Sequence, residues 1–104
     1  RVQSRQKALN LLGLAQRAGE LDSGTDIVIA GLRGKQVKVV ILANDIHADS
    51  SEKVTRVAKQ NNVKIIDNFS SEELSHAIGK KRKVLGLTDD GFCKALVKKI
   101  NEGV

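Results

Sequence analysis

The run Val37-Lys38-Val39-Val40-Ile41-Leu42-Ala43 is apolar at every position but one and rich in β-branched side chains. As a strand it therefore offers apolar groups to both faces of a sheet. A strand of that kind needs cover above and below, and the cover available to a short chain is helical. This one segment thus points to a layered α/β protein.

The flanking sequence supplies the cover. Upstream, Ala8, Leu9, Leu12, Ala15 and Ala18 recur at helical spacing, with Ser4 as the expected N-cap and Gly19 as the stop. Leu21 and Asp22 predict a short strand or turn. Ser23-Gly24-Thr25-Asp26 then opens a second helix that carries Ile27 to Leu32 and closes at Gly34. Downstream, a helix from Asp49 or Ser50 places Val54, Val57 and Ala58 on one side and runs to Asn61-Asn62, and Val63-Lys64-Ile65-Ile66-Asp67 follows as a strand. Ser70 and Glu73 have the spacing of a capping box for a short helix with Leu74, Ala77 and Ile78, stopped by Gly79. Val84 to Leu87 is a last strand. Thr88 is expected to cap the final helix, which has Asp89 and Asp90 at its positive end and Lys98 and Lys99 at its negative end. Helix and strand alternate throughout, which predicts helices on both faces of a mostly parallel or mixed sheet. At 104 residues the chain is too short for two self-sufficient cores, so residues 1–104 are read as a single domain with a flexible N-terminus over 1–4.

Charge narrows the partner. A formal net charge of +6 attracts polyanions, whose counterions are released when Lys and Arg take their place. The same charge also serves solubility alone, so it does not single out nucleic acid. Phe69 and Phe92 are the only aromatic residues, which argues against a platform on which single-stranded bases stack. The tools that remain are a helix start and basic or amide side chains, which read shape and phosphates.

Enzyme readings find little support. Cys93 lies among Phe92, Leu96, Val97 and Ile100 on an apolar helix face and reads as core rather than nucleophile. His47 and His76 read as surface or satisfied histidines. Asp45 and Asp49 make too common a pair to define a cation site, and Asp89-Asp90-Gly91 is explained by its place at a helix start. There is no glycine-rich phosphate loop or catalytic triad order, and no Cys/His set with metal spacing. The expectation is a non-enzyme with no cofactor and no metal. One cysteine forms no internal disulfide and suits a reducing, cytoplasmic setting, and no signal peptide or membrane span is read in the sequence.

Three stretches in order carry a resemblance: Leu11-Leu12-Gly13-Leu14-Ala15-Gln16-Arg17-Ala18-Gly19, then Ser23-Gly24, then Val39-Val40-Ile41-Leu42-Ala43-Asn44-Asp45, with Glu73-Leu74 to Gly79 further on. Together they resemble the bacterial YlxQ group of the L7Ae/L30e ribosomal protein family, from about Lys7 to about Ile100. The resemblance implies a three-layer α/β/α sandwich around a mixed sheet of about four strands. For members that bind RNA it implies recognition of a kink-turn, a sharply bent internal loop. Those members carry Gly-x-Asn-Glu-x-x-Lys at the start of the second helix, and the matching stretch here is Gly24-Thr25-Asp26-Ile27-Val28-Ile29-Ala30. Gly24, Thr25 and Asp26 are the expected RNA-facing residues. Ile27 and Ala30 stand where the pattern has Glu and Lys, and they can make neither a base-edge hydrogen bond nor a phosphate pair.

The resemblance also brings the loop Gly79-Lys80-Lys81-Arg82-Lys83 to the same surface, where Lys80, Lys81, Arg82 and Lys83 are expected to join Arg33 and Lys35 in a phosphate-facing patch. The plainer reading of this loop is a solvated charge run that keeps a strand edge from pairing. Arg17 is a further candidate for RNA contact, although a cation near a helix C-terminus is stabilised there without any ligand. The reading is a monomeric RNA-binding protein associated with the ribosome or translation. It would bind rRNA or another kinked RNA, with ribosomal, transcription or translation factors as further partners and no membrane partner. Two rivals remain, a protein-interaction adaptor on the same fold and the substrate-recognition half of an RNA-modifying enzyme.

Overall fold

The computed structural model describes residues 2–103. Its elements are α1 (Val2–Arg17), β1 (Leu21–Ser23), α2 (Thr25–Arg33), β2 (Val39–Ala43), α3 (Ala48–Gln60), β3 (Lys64–Phe69), α4 (Ser71–Ile78), β4 (Val84–Leu87) and α5 (Asp90–Asn101). The four strands form one mixed sheet in the order β1-β4-β2-β3. β4 is antiparallel to both β1 and β2, whereas β2 and β3 are parallel.

β2 is buried at all five positions, as its composition requires. Its side chains alternate between two cores. Val39, Ile41 and Ala43 pack with Ala8, Leu12 and Ala15 of α1, Leu74 of α4 and Leu96 of α5. Val40 and Leu42 face Val28 and Leu32 of α2 and Val54 and Val57 of α3. Helices therefore cover both faces, and the three-layer α/β/α sandwich with a four-stranded mixed sheet is the fold observed. Cys93 is buried in the first core, and burial, with Asp90 and Asp89 nearby, pushes its thiol up to about 11.

Several boundaries differ from the sequence reading. α1 begins at Val2, so Ser4 lies inside the helix rather than at its cap. Gln3, Arg5, Gln6 and Lys7 are good helix formers, with nothing among them to delay the start. Residues 2–4 belong to α1, and Arg1 lies outside the described residues. α5 is capped by Asp89, which accepts from the Phe92 N–H at 2.9 Å, and not by Thr88. The Thr88 hydroxyl instead meets Glu20 Oε2 at 3.2 Å. β2 starts at Val39, two residues after the apolar run begins. Among the described residues no helix is long and apolar enough to cross a membrane.

The capping box forms as expected. The Glu73 N–H donates to Ser70 Oγ at 3.1 Å and the Ser70 N–H donates to Glu73 Oε1 at 3.0 Å. Glu73 also accepts from Arg5 Nε at 2.8 Å, while Arg5 lies 4.8 Å from the centroid of the Phe69 ring, so one carboxylate ties α1 to the start of α4. Hydrogen bonding from Arg5 holds the Glu73 carboxyl below its ordinary 4.5, against the opposing effect of burial. A carboxyl lowered in the folded state stabilises fully above its unfolded value, and that contribution is lost as pH falls through the folded one. A Glu73→Gln protein, which keeps the cap geometry, is expected to lose about 0.5–1 kcal/mol at pH 7 and to show a flatter decline in stability below pH 4.5. Urea unfolding at pH 7 and pH 4 checks this, and parallel acid losses in both proteins would exclude the clasp as their source.

Candidate nucleic-acid interface

α2 begins at Gly24, whose φ of 109° and ψ of 148° place it where L side chains are strained. Gly24 has no side chain to cap the helix. Its carbonyl accepts the first helical bond, from the Val28 N–H at 3.0 Å, while the N–H groups of Thr25, Asp26 and Ile27 have no acceptor among the described residues. Three unpaired donors at the positive end of a helix favour an anion. The Gly24 N–H donates to the Val84 carbonyl at 2.9 Å, which pins this turn beside the start of β4.

The segment entering β4 is the four-cation loop. It leaves α4 at Gly79, a left-handed C-cap with φ 77°, and Lys80, Lys81, Arg82 and Lys83 are all exposed. The loop is anchored mainly through its backbone, with one side-chain bond of its own. The Arg82 N–H donates to Ser75 Oγ at 3.3 Å, the Arg82 guanidinium donates to the Lys81 carbonyl at 2.9 Å, and the Lys83 carbonyl accepts from the Ala43 N–H at 2.9 Å. Arg82 Nε sits 4.0 Å from the place a Cβ would occupy on Gly24. Residues some sixty positions apart thus form one surface, with unpaired N–H groups on one side and cations on the other.

The neighbouring groove runs beneath this loop, walled by Ser75, Gly79 and the loop itself. Asp45, after β2, closes the same end of the sheet. Its carboxylate accepts from the Ser71 hydroxyl at 2.8 Å and the Ser71 N–H at 2.9 Å, and these bonds, the hydroxyl first, hold its carboxyl below the usual range. Ile27, 58% exposed, and Ala30 lie on the solvent side of α2, so the two positions where the family pattern is polar present methyl groups outward.

The other candidates lie elsewhere. Arg17 lines a groove between α1 and α4, whose wall at Glu72 and His76 is shared with the groove under the loop. Arg33 ends α2 and Lys35 follows it, so both sit at the far end of that helix from Gly24. Nine residues at 1.5 Å each put about 14 Å between the two ends. Lys35 Nζ donates to Asn61 Oδ1 at 3.0 Å, beside the end of α3. The expected patch joining Arg33 and Lys35 to the Lys80–Lys83 loop is therefore split, because helix α2 carries its two ends to opposite rims of the sheet. His47 stands exposed at the N-cap of α3 and His76 is exposed on α4. Among the described residues no group of three His, Cys, Asp or Glu side chains is placed to hold a metal ion. Sequence reasoning passed over Lys38 and Lys64, each a single charge in an apolar strand signal. The pairing of Val39 with Lys64 is what brings them to the same rim of the sheet.

Residues 6–97 match the Ribosomal protein L7Ae/L30e/S12e/Gadd45 family. A relative from Enterococcus faecium, described as RNA-binding protein YlxQ, is 42% identical over 100 residues, covering 96% of each chain. Its namesake from Bacillus subtilis (strain 168) is 38% identical over 88 residues, 84% of this chain and 88% of that one. Among solved structures, a protein of unknown function from Bacillus halodurans C has a TM-score of 0.87 at 33% identity, over 91% of this chain and 97% of its own. The Giardia lamblia 15.5kD RNA binding protein has a TM-score of 0.76 at 17% identity, over 96% and 87%, a likeness of fold.

Proposed function

This chain belongs to the L7Ae/L30e/S12e/Gadd45 ribosomal protein family, and from that premise we propose that it is a small, non-enzymatic RNA-binding protein. It recognises bent, kink-turn-like RNA by shape and phosphate contacts, as a cytoplasmic component associated with the ribosome or translation. The observation that carries the reading is the meeting of Gly24 with Arg82, which sets the unpaired N–H groups of Thr25, Asp26 and Ile27 beside four exposed cations. The names of the two relatives described as RNA-binding proteins support the same reading. Exposed Ile27 and Ala30 supply no polar reach to a base edge, so sequence reading by this helix start is weak and backbone geometry dominates.

Titration with a kink-turn RNA, a plain duplex and a single strand at two salt concentrations tests this. The expected result is tightest binding to the bent RNA, with affinity falling steeply as salt rises. Equal, undetectable affinity for all three at low salt would overturn autonomous RNA binding. The apolar Ile27 at the centre of the surface favours one second reading, a protein adaptor. An RNase-insensitive, stoichiometric protein partner recovered by pull-down would support it.

A further inference from the structure

The rim of the sheet opposite Gly24 is also basic. Arg33 in the last turn of α2, Lys35 after it, Lys38 before β2, Lys59 in the last turn of α3 and Lys64 at the start of β3 are all exposed there. The backbone gathers them. Lys35 reaches Asn61 at the C-cap of α3, Lys64 pairs with Val39 next to Lys38, and the Lys38 N–H donates to the Leu87 carbonyl at 2.7 Å, at the far end of β4 from Val84. Among the described residues Arg33, Lys38, Lys59 and Lys64 make no ion pair or side-chain hydrogen bond.

Helix dipoles account for Arg33 and Lys59, which sit at negative helix ends. They do not account for Lys38, which precedes β2, or Lys64, which opens β3 opposite Val39, and both stand at the same rim of the sheet. The rim's carboxylates lie on its other half, where Glu20 meets Thr88 and Asp89 and Asp90 open α5. Acid gathers at the β1 and α5 side and base at the α2, α3 and β3 side, with Lys38 at the junction, where it acts on the same Cys93 thiol as Asp89 and Asp90.

We propose that this basic half-rim is a second phosphate-binding surface, which holds the backbone of a second RNA segment while the Gly24–Arg82 surface holds the first. The proposal rests on the RNA-binding reading above and extends it from one contact to a bridge. The occupant is RNA rather than an acidic protein because the half-rim has no large exposed apolar residue to anchor a protein partner. Leu14 and Ile27 are the exposed ones among the described residues, and they lie on α1 and at the opposite end of α2. A polyanion needs only the point charges.

Two short RNA duplexes carrying donor and acceptor dyes, mixed with the full chain, test this by energy transfer. Wild type is expected to bring the two duplexes together. Lys38→Glu/Lys64→Glu is expected to abolish the transfer and leave binding of a single duplex within about twofold. Lys38→Gln/Lys59→Gln, a milder change at exposed sites, is expected to weaken the transfer and guards against misfolding of the first variant. Single-duplex binding without energy transfer in wild type, or transfer that survives both variants, would overturn the bridge. Absence of any RNA binding would instead overturn the reading beneath it.

Discussion

A Lys81→Ala/Arg82→Ala protein is expected to bind bent RNA about tenfold or more weakly at low salt, with a log–log salt slope shallower by about 1.5. Both residues project from a loop whose path is set elsewhere, by the left-handed turn at Gly79, the bond from the Arg82 N–H to Ser75 and the bond from Ala43 to Lys83. Removing the two side chains leaves those backbone anchors in place and gives up only the local bond from the Arg82 guanidinium to the Lys81 carbonyl, so the loss is chiefly electrostatic. Each lost phosphate contact leaves nearly one counterion unreleased, and this makes the slope the diagnostic quantity. Filter-binding or fluorescence titrations from low to physiological salt give it directly. A weaker Kd with an unchanged slope would remove the loop from the interface.

The second large effect concerns stability. Val37 has 2% of its surface exposed and is wedged between two glycines. A Cβ on Gly86 of β4 would come within 2.9 and 3.0 Å of its two methyl groups, and one on Gly31 of α2 within 2.6 Å. A β-branched side chain held on both sides has no free rotamer to retreat into. Gly86→Ala is therefore expected to cost about 1–3 kcal/mol by overpacking, about 4–8 °C in Tm per kcal/mol for a domain of this size. Val37→Ala alone costs stability by leaving a cavity. The double variant is expected to be more stable than the sum of the two losses, since one change makes the space the other fills. Additive losses in urea unfolding would show that the wedge is not the source.

This wedge also shows what the sequence could and could not reveal. Val37 reads as the first residue of a strand because β-branched residues follow it, yet it packs as the plug of the turn before β2. The distinction depends on two glycines, six positions before it and far along the chain, and neither position announces a partner. Elements set by local chemistry were legible: the Ser70–Glu73 box, the Gly79 stop and the doubly buried β2 all form as their residues dictate. The cap of α5 was misplaced by one residue because Thr88 and Asp89 are both good caps, and the pairing of Thr88 with Glu20 decides between them. In the candidate site, the cations of the loop and the helix start at Gly24 were each visible as local signals. Their contact was expected only through resemblance, because it is made by the pairing of β1 with β4. Arg33 and Lys35 were drawn to the wrong rim for the same reason, since closeness in sequence to Gly24 hides a helix that separates them.

The thiol of Cys93 gives the protein a clock. It is the only cysteine, it is buried, and with its proton held to about 11 it is almost wholly un-ionised at neutral pH. Thiol reagents attack the thiolate, so the folded chain is expected to react slowly with them, and labelling is expected to proceed through molecules that have opened the core beneath α5. When closing outpaces labelling, the rate measures the free energy of that opening in plain buffer, without denaturant. Differences in labelling rate among the glycine and clasp variants then translate directly into differences in how often the sheet is uncovered.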